Sequence, residues 1–189
     1  MSDFARCIAA GGVAVFPADT VYGLACDPAD AAAVERLYAL KGRPPAKPAA
    51  VMFFDRAQAL TGLAPRTARL LGALLPGGLT ALLPNPERRF PLACGPDPDT
   101  LGLRLPDLPQ LAGAPPVLQS SANLAAGPDA RRLSDVPRSI RDGADLVLDG
   151  GELPGTPSTV VDLRDYEQAG TWSIVRLGAV PAAAIAAAA

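Results

Sequence analysis

The chain contains no histidine. That absence excludes Ser-His-Asp and Cys-His catalysis, His-ligated metals and the usual general base near neutral pH. Lysine is nearly absent too: Lys41 and Lys47 are the only two, and every other basic residue is arginine. Cys7, Cys26 and Cys94 are odd in number and widely spaced, with no Cys-x-x-Cys. A disulfide framework or zinc site is therefore not expected, and a reducing, cytoplasmic setting fits. Neither G-x-x-x-x-G-K-[ST] nor G-x-G-x-x-G occurs, so the P-loop and Rossmann signatures are missing. The start, MSDFARCIAAGG, has an early acid and too short an apolar run for a secretory signal. No stretch approaches the ~20 apolar residues of a membrane span, so no membrane partner is expected.

What remains is a globular composition. Of 189 residues, 49% are apolar and 19% charged, enough to bury a sizeable core. The net charge of −2 gives no global drive toward nucleic acid. Arginine pairs at 66/69, 88/89, 131/132 and 138/141 read either as a local basic face or as a solvated surface. Any catalysis must rest on positioning and on Lys/Arg electrostatics, with a metal brought by the substrate.

The stretch from Gly11 to Pro48 organises the chain. Val13-Ala14-Val15-Phe16 has the length and branching of a buried strand, which Pro17 stops. A polar turn, Asp19-Thr20-Val21-Tyr22-Gly23, follows. A helix is expected from about Pro28 to Leu40, capped by Asp27 or Asp30. It delivers Lys41, Arg43 and Lys47 onto a loop stiffened by Pro44, Pro45 and Pro48. Strand, hydroxyl-bearing turn, helix and rigid basic loop suggest a pocket for an anionic small molecule.

Further strands are expected at 49–54, 79–83, 101–105, 117–119, 144–149, 157–163 and 172–176. Short helices are expected over 2–10, from Asp55 to Leu60, from Pro65 through Leu75, from Asp107 to Ala112, and from a Ser134 cap to Arg141. A short C-terminal helix closes the chain. Residues 84–100, rich in proline, read as a loop. The pattern predicts one α/β domain over 1–189, with a core at about 11–180 and an alanine-rich tail at 181–189. Its sheet should be twisted, open and mixed, flanked by short helices, because some strands follow each other too closely for crossovers.

Polar clusters stand where strands end, the usual ligand position in open α/β sheets. They are Thr20 with Tyr22; Lys41, Arg43 and Lys47; Ser120-Ser121-Ala122-Asn123; and Ser158-Thr159. Arg104 and Arg176 lie within strands of their own. Flanked by leucines, Arg104 needs an anion, either a structural carboxylate or a ligand's; Arg176 poses the same question. Lys41 and Arg43 serve either a helix dipole or a phosphate. Ser-Ser-Ala-Asn and Pro-Ser-Thr are, taken singly, also ordinary turns.

Together and in order, FPADTVYGLACDP, KGRPPAKP, LPGGLTALL, LGLRLPDLP, SSANLAAG, PSTVVDL and VRLGAV resemble the threonylcarbamoyl-AMP synthase (YrdC/TsaC) family, in its short single-domain form. The resemblance implies an ATP-dependent nucleotidyltransferase that joins L-threonine, bicarbonate and ATP into threonylcarbamoyl-AMP and pyrophosphate, for modification of adenosine 37 in tRNA. It implies Lys41 and Arg43 as catalytic clamp for phosphate and carbamate. Thr20, Arg104 and Ser158 would bind threonine or carbamate, and Lys47, Ser121, Asn123 and Arg176 the nucleotide. Mg²⁺ would arrive with ATP, without a dedicated protein site. Partners would include the tRNA threonylcarbamoyl-transferase machinery. The chain departs from the family pattern at Ala18, at Leu108 in place of a histidine, at Gly78, and at Ala125-Ala126.

Two other readings follow from the same resemblance. One is a diverged module that binds double-stranded RNA or tRNA, or that uses another acyl substrate. The other is a carbamoyl-adenylate-handling domain like those of hydrogenase maturation proteins.

Overall fold

Short apolar runs cut by prolines and glycines dictate short elements. The computed structural model, which describes residues 1–189, has this chain order: α1 (Asp3–Ala9), β1 (Ala14–Pro17), β2 (Tyr22–Cys26), α2 (Ala31–Lys41), β3 (Ala50–Met52), α3 (Arg56–Leu60), α4 (Pro65–Leu74), β4 (Leu79–Pro84), α5 (Pro91–Cys94), β5 (Thr100–Arg104), β6 (Val117–Ser121), α6 (Arg138–Gly143), β7 (Leu146–Val147), β8 (Thr159–Asp162), α7 (Tyr166–Ala169), β9 (Ser173–Arg176) and α8 (Ala182–Ala188). No helix is long and apolar enough to cross a membrane.

The nine strands form one open sheet in the order β7-β1-β2-β6-β3-β5-β4-β8-β9. Pairs β1/β7, β3/β5 and β4/β8 are parallel and the rest antiparallel, so the sheet is mixed, as expected.

Period-two alternation sorts the strand side chains onto two faces. One face carries Leu24, Val51, Ala81, Leu103, Leu118 and Val161, packed with Leu37, Leu70, Leu71 and Ile140 of the helices in the larger core. The other carries Ala14, Phe16, Ala25, Met52 and Val117, packed with Phe4 and Ile8 of α1. Farther along this second face, the same alternation presents Ala50, Thr80, Gly102, Arg104, Gln119 and Ser121, which line a cavity.

Several elements differ from the sequence reading. The turn after Thr20 passes at once into β2, which pairs with β1 on one side and β6 on the other. Residues 84–100 hold a helical turn, α5. The helix expected from Ser134 breaks into a 3-10 turn at Leu133–Asp135 and α6, because Pro137 lies between them and lacks an N–H. The strand expected over 144–149 shrinks to two residues. Asp30 is the cap of α2, its carboxylate accepting from Ala32 and Ala33 N–H.

Candidate functional site

The cavity has a volume of about 580 Å³ and lies over the second face of the sheet. Lys41, Arg43, Lys47, Arg104, Ser120, Ser121, Asn123, Ser158 and Arg176 line it, whereas Thr20, Tyr22, Ala122 and Thr159 of the polar clusters are buried away from it. β3 to β6 and β8 supply the floor. The loop after α2 and the turn 120–129 supply one wall, and Pro157, Ser158 and Arg176 another.

The basic wall begins where α2 ends. Gly42 takes a left-handed conformation, φ 60°, and turns the chain out of the helix. Arg43 is held by its own loop. Its guanidinium donates to the Pro48 carbonyl and, at 3.5 Å, to Ser120 Oγ, and it lies 5.6 Å from the centre of the Tyr38 ring. Lys47 is exposed.

Lys41 is 3% exposed. Its Nζ donates to Ser121 O at 2.5 Å, Asn123 O at 2.7 Å and Asn123 Oδ1 at 2.7 Å. An ammonium has three N–H donors, and all three are engaged. Burial, and then the charge of nearby Arg43, pull its pKa down to about 8.

Arg104 sits deep in the floor. Its Nη2 pairs with Asp19 Oδ1 and donates to Thr20 Oγ1 at 2.7 Å. Thr20 therefore lies behind Arg104, not on the cavity wall. Of the two anions read for Arg104, the structural carboxylate is present as Asp19, and Arg104 also lines the cavity. Its Nε is buried with no partner. Burial lowers the Arg104 pKa, and Asp19 opposes the fall.

Beside Arg104, the hydroxyls of Thr80 and Ser158 are 2.8 Å apart. Arg176 donates from Nη2 to Ser158 O at 2.7 Å and Oγ at 3.3 Å. Thr80, Asp97, Asp129 and Arg164 also line the cavity, and sequence reasoning did not single them out. Nor did it single out Asp19, although Asp19 adjoins Thr20 in the same motif. Thr80 could be found from the alternation of Leu79-Thr80-Ala81, which puts a hydroxyl opposite Arg104. Asp97 lies in the proline-rich stretch, which carries no periodicity to read.

Charge pairing explains why this cavity suits an anion. Arg6, Arg36, Arg88, Arg131, Arg132, Arg138 and Arg164 all meet carboxylates. Lys41, Arg43, Lys47 and Arg176 form no ion pair, and all four line the cavity. Nine of the 17 basic side chains form no ion pair, and four of the nine share this one concavity in a chain of net charge −2. No three Asp, Glu or Cys side chains gather to hold a metal.

Comparison with known proteins gives relatives in sequence and in fold. The family model for Sua5, YciO and YrdC proteins, described as telomere recombination, matches residues 6–178. A threonylcarbamoyl-AMP synthase of Chromohalobacter salexigens is 37% identical over 177 residues, covering 88% of this chain and 94% of the relative. The Bacillus subtilis threonylcarbamoyl-AMP synthase is 33% identical, but the match covers 81% of this chain and only 47% of that protein. The chain therefore spans nearly the whole of a short relative and about half of a longer one. Among solved structures, P. abyssi Sua5 complexed with L-threonine superimposes with a TM-score of 0.86 at 30% identity, over 98% of this chain and 56% of that one. E. coli YciO superimposes with a TM-score of 0.79 at 26% identity, over 96% and 90%. By the extent of the family match and the identity to these relatives, the chain belongs to the Sua5/YciO/YrdC family.

Proposed function

We propose that this protein is an L-threonylcarbamoyladenylate synthase. The observation that carries the reading is the single cavity that gathers Lys41, Arg43, Lys47 and Arg176 without carboxylate partners, next to the buried Arg104. The names of the relatives support it.

The chemistry suits a histidine-free chain. The threonine amine attacks the carbon of bicarbonate, a C–N bond forms, and water leaves, giving a carbamate. A carbamate oxygen then attacks the α-phosphorus of ATP as the bond to pyrophosphate breaks. Alignment and neutralisation of negative charge do most of this work. Arg104, backed by Asp19 and Thr20, receives the threonine carboxylate in this reading. Ser158 and Thr80 lie beside it, within reach of the amino acid. Arg43 and Lys47 meet the phosphates from the proline-stiffened loop, with the Lys41 charge behind them. Ser121 and Asn123 belong to the nucleotide wall, and Arg176 bridges it to Ser158.

Mg²⁺ belongs to ATP in this scheme. The cavity's own carboxylates, Asp97 and Asp129, do not form a cluster for it, so phosphate oxygens and water would hold the ion. The product would pass to tRNA threonylcarbamoyl-transferase machinery.

The RNA-binding alternative asks for an extended cationic track. Here Lys41, Arg43, Lys47 and Arg176 converge on a concavity of small-molecule size. The test is pyrophosphate release from ATP by the purified protein, with threonine and bicarbonate added separately and together. Release that needs both supports the synthase. ATP binding without release under any combination overturns it in favour of another acyl substrate.

A further inference from the structure

The loop between β4 and β5, residues 85–99, is built as a closed unit. Its ends meet where Asn85 N–H donates to Asp99 O at 2.8 Å. The buried Asn85 side chain ties the inside: Nδ2 donates to Arg89 O and Pro98 O, both at 2.9 Å, and Oδ1 accepts from Arg89 N–H at 3.0 Å. Compact loops closed at the base and filled by their own side chains are frequently functional. This one is also strained. Only three non-glycine residues of the chain have a positive φ, and two of them, Arg88 at 50° and Phe90 at 52°, lie here. Such conformations cost free energy and cluster at functional sites.

The 85–99 loop packs against the basic loop, backbone to backbone. Ala49 N–H donates to Ala93 O at 2.9 Å. Gly95 lies so near residues 46–48 that a Cβ on it would stand 2.8 Å from Ala46 O and 3.2 Å from Pro48 N. Its φ of 62° and ψ of −134° fall in the mirror image of the extended region, which suits glycine and not a residue with a side chain. The two residues it meets flank Lys47. Arg43 is tied to the same segment, its guanidinium donating to Lys47 O at 3.4 Å and to Pro48 O. The placement of Gly95 therefore governs where both cations stand. Cys94 and Asp97, before and after Gly95, line the cavity, and Gly95 itself does not.

Resting on the synthase reading, we propose that the 85–99 loop is the back-stop of the basic loop, with Gly95 as its positioning residue. Gly95 sets where Lys47 and Arg43 are held over the cavity, without touching the ligand. A loop that only covered the core would affect stability and leave the nucleotide affinity of the folded protein alone.

The test is calorimetric titration of ATP and of inorganic pyrophosphate into the intact wild-type protein and Gly95→Ala, together with pyrophosphate-release kinetics. The expected Kd for both ligands rises about tenfold or more in Gly95→Ala, the scale for a misplaced binding group. The KM for threonine at saturating ATP should stay within about twofold of wild type. A folded Gly95→Ala protein whose Kd values stay within about twofold of wild type overturns the proposal, however low its melting temperature. So does an equal rise in the ATP Kd and the threonine KM, which would mean general damage to the cavity. Asn85→Ala leaves Gly95 in place and unties the loop from within. It should show the same split at about fivefold, and it decides the matter should Gly95→Ala not fold. Wild-type protein that binds neither ligand overturns both readings. Wild-type protein that binds both but never releases pyrophosphate overturns the synthase alone, and the Kd comparison still judges Gly95.

Discussion

Asp19 and Arg104 stand 85 residues apart in the chain and form an ion pair whose side chains are 9% and 4% exposed. Asp19 comes from the turn between β1 and β2, and Arg104 from the end of β5, so the pair ties the edge of the cavity to its floor. Removing one partner of such a pair leaves a buried, uncompensated charge. Asp19→Ala should cost about 3 kcal/mol in urea unfolding. A loss below about 1 kcal/mol, the scale of an exposed pair, would mean that water reaches Arg104 freely.

Arg43 separates binding from folding. Its bonds go to carbonyls of its own loop and to Ser120, and it is only half-buried. Arg43→Ala should therefore leave the melting temperature near wild type. Its kcat/KM for pyrophosphate release should fall about a hundredfold or more, the scale for losing a charge-stabilising donor. Lys47→Ala, on the exposed part of the loop, should lose less. Wild-type kcat/KM in Arg43→Ala would remove Arg43 from the site.

Much of this architecture can be read from the chain, and the exceptions have physical causes. β1, β3, β4, β5, β6 and β8 announce themselves as short apolar or branched runs ended by proline, glycine or a polar residue. β2 does not, because Gly23 and Ala25 give it little strand propensity of its own. Ladders with β1 and β6 on both sides supply what propensity does not. The basic loop and the Ser-Ser-Ala-Asn turn were legible as clusters. That they touch through Lys41 was not, since the contact spans more than 80 residues. Likewise, Arg104 advertised its need for an anion, but nothing in the local sequence said that Asp19 would meet it.

Thr159 is the fastening of the C-terminal segment. It is fully buried, donates from Oγ1 to Val180 O at 2.6 Å, and accepts from Gly178 N–H at 2.9 Å and Val180 N–H at 3.1 Å. Gly178 lies so close to this strand that a Cβ there would stand 2.1 Å from Pro157 O. The segment thus holds Arg176 against Ser158. Thr159→Val keeps the shape and strands two N–H groups and a carbonyl, so it should cost about 2–3 kcal/mol. Thr159→Ser should recover most of that stability and the KM for threonine. Equal stability in Thr159→Val and wild type would show that the segment is held by packing alone.

Lys41 should leave a pH signature. Its pKa in the folded protein is about 8, against an ordinary 10.5. The folded state therefore binds this proton more weakly than the unfolded chain does. Stability rises with pH wherever the unfolded state holds more protons. The charged lysine is thus a full penalty below about pH 8, and the penalty is relieved between about 8 and 10.5. Lys41→Met carries no such proton, so subtracting its unfolding free energy from the wild-type value isolates the effect from other groups. That difference should move in favour of the wild type across this window. Bound ATP stabilises the ammonium, so with ATP present the change should begin at higher pH. Urea unfolding of both proteins across the window, with and without ATP, checks it. A flat difference would mean that the three oxygen acceptors hold the proton on Lys41 against the pull of burial.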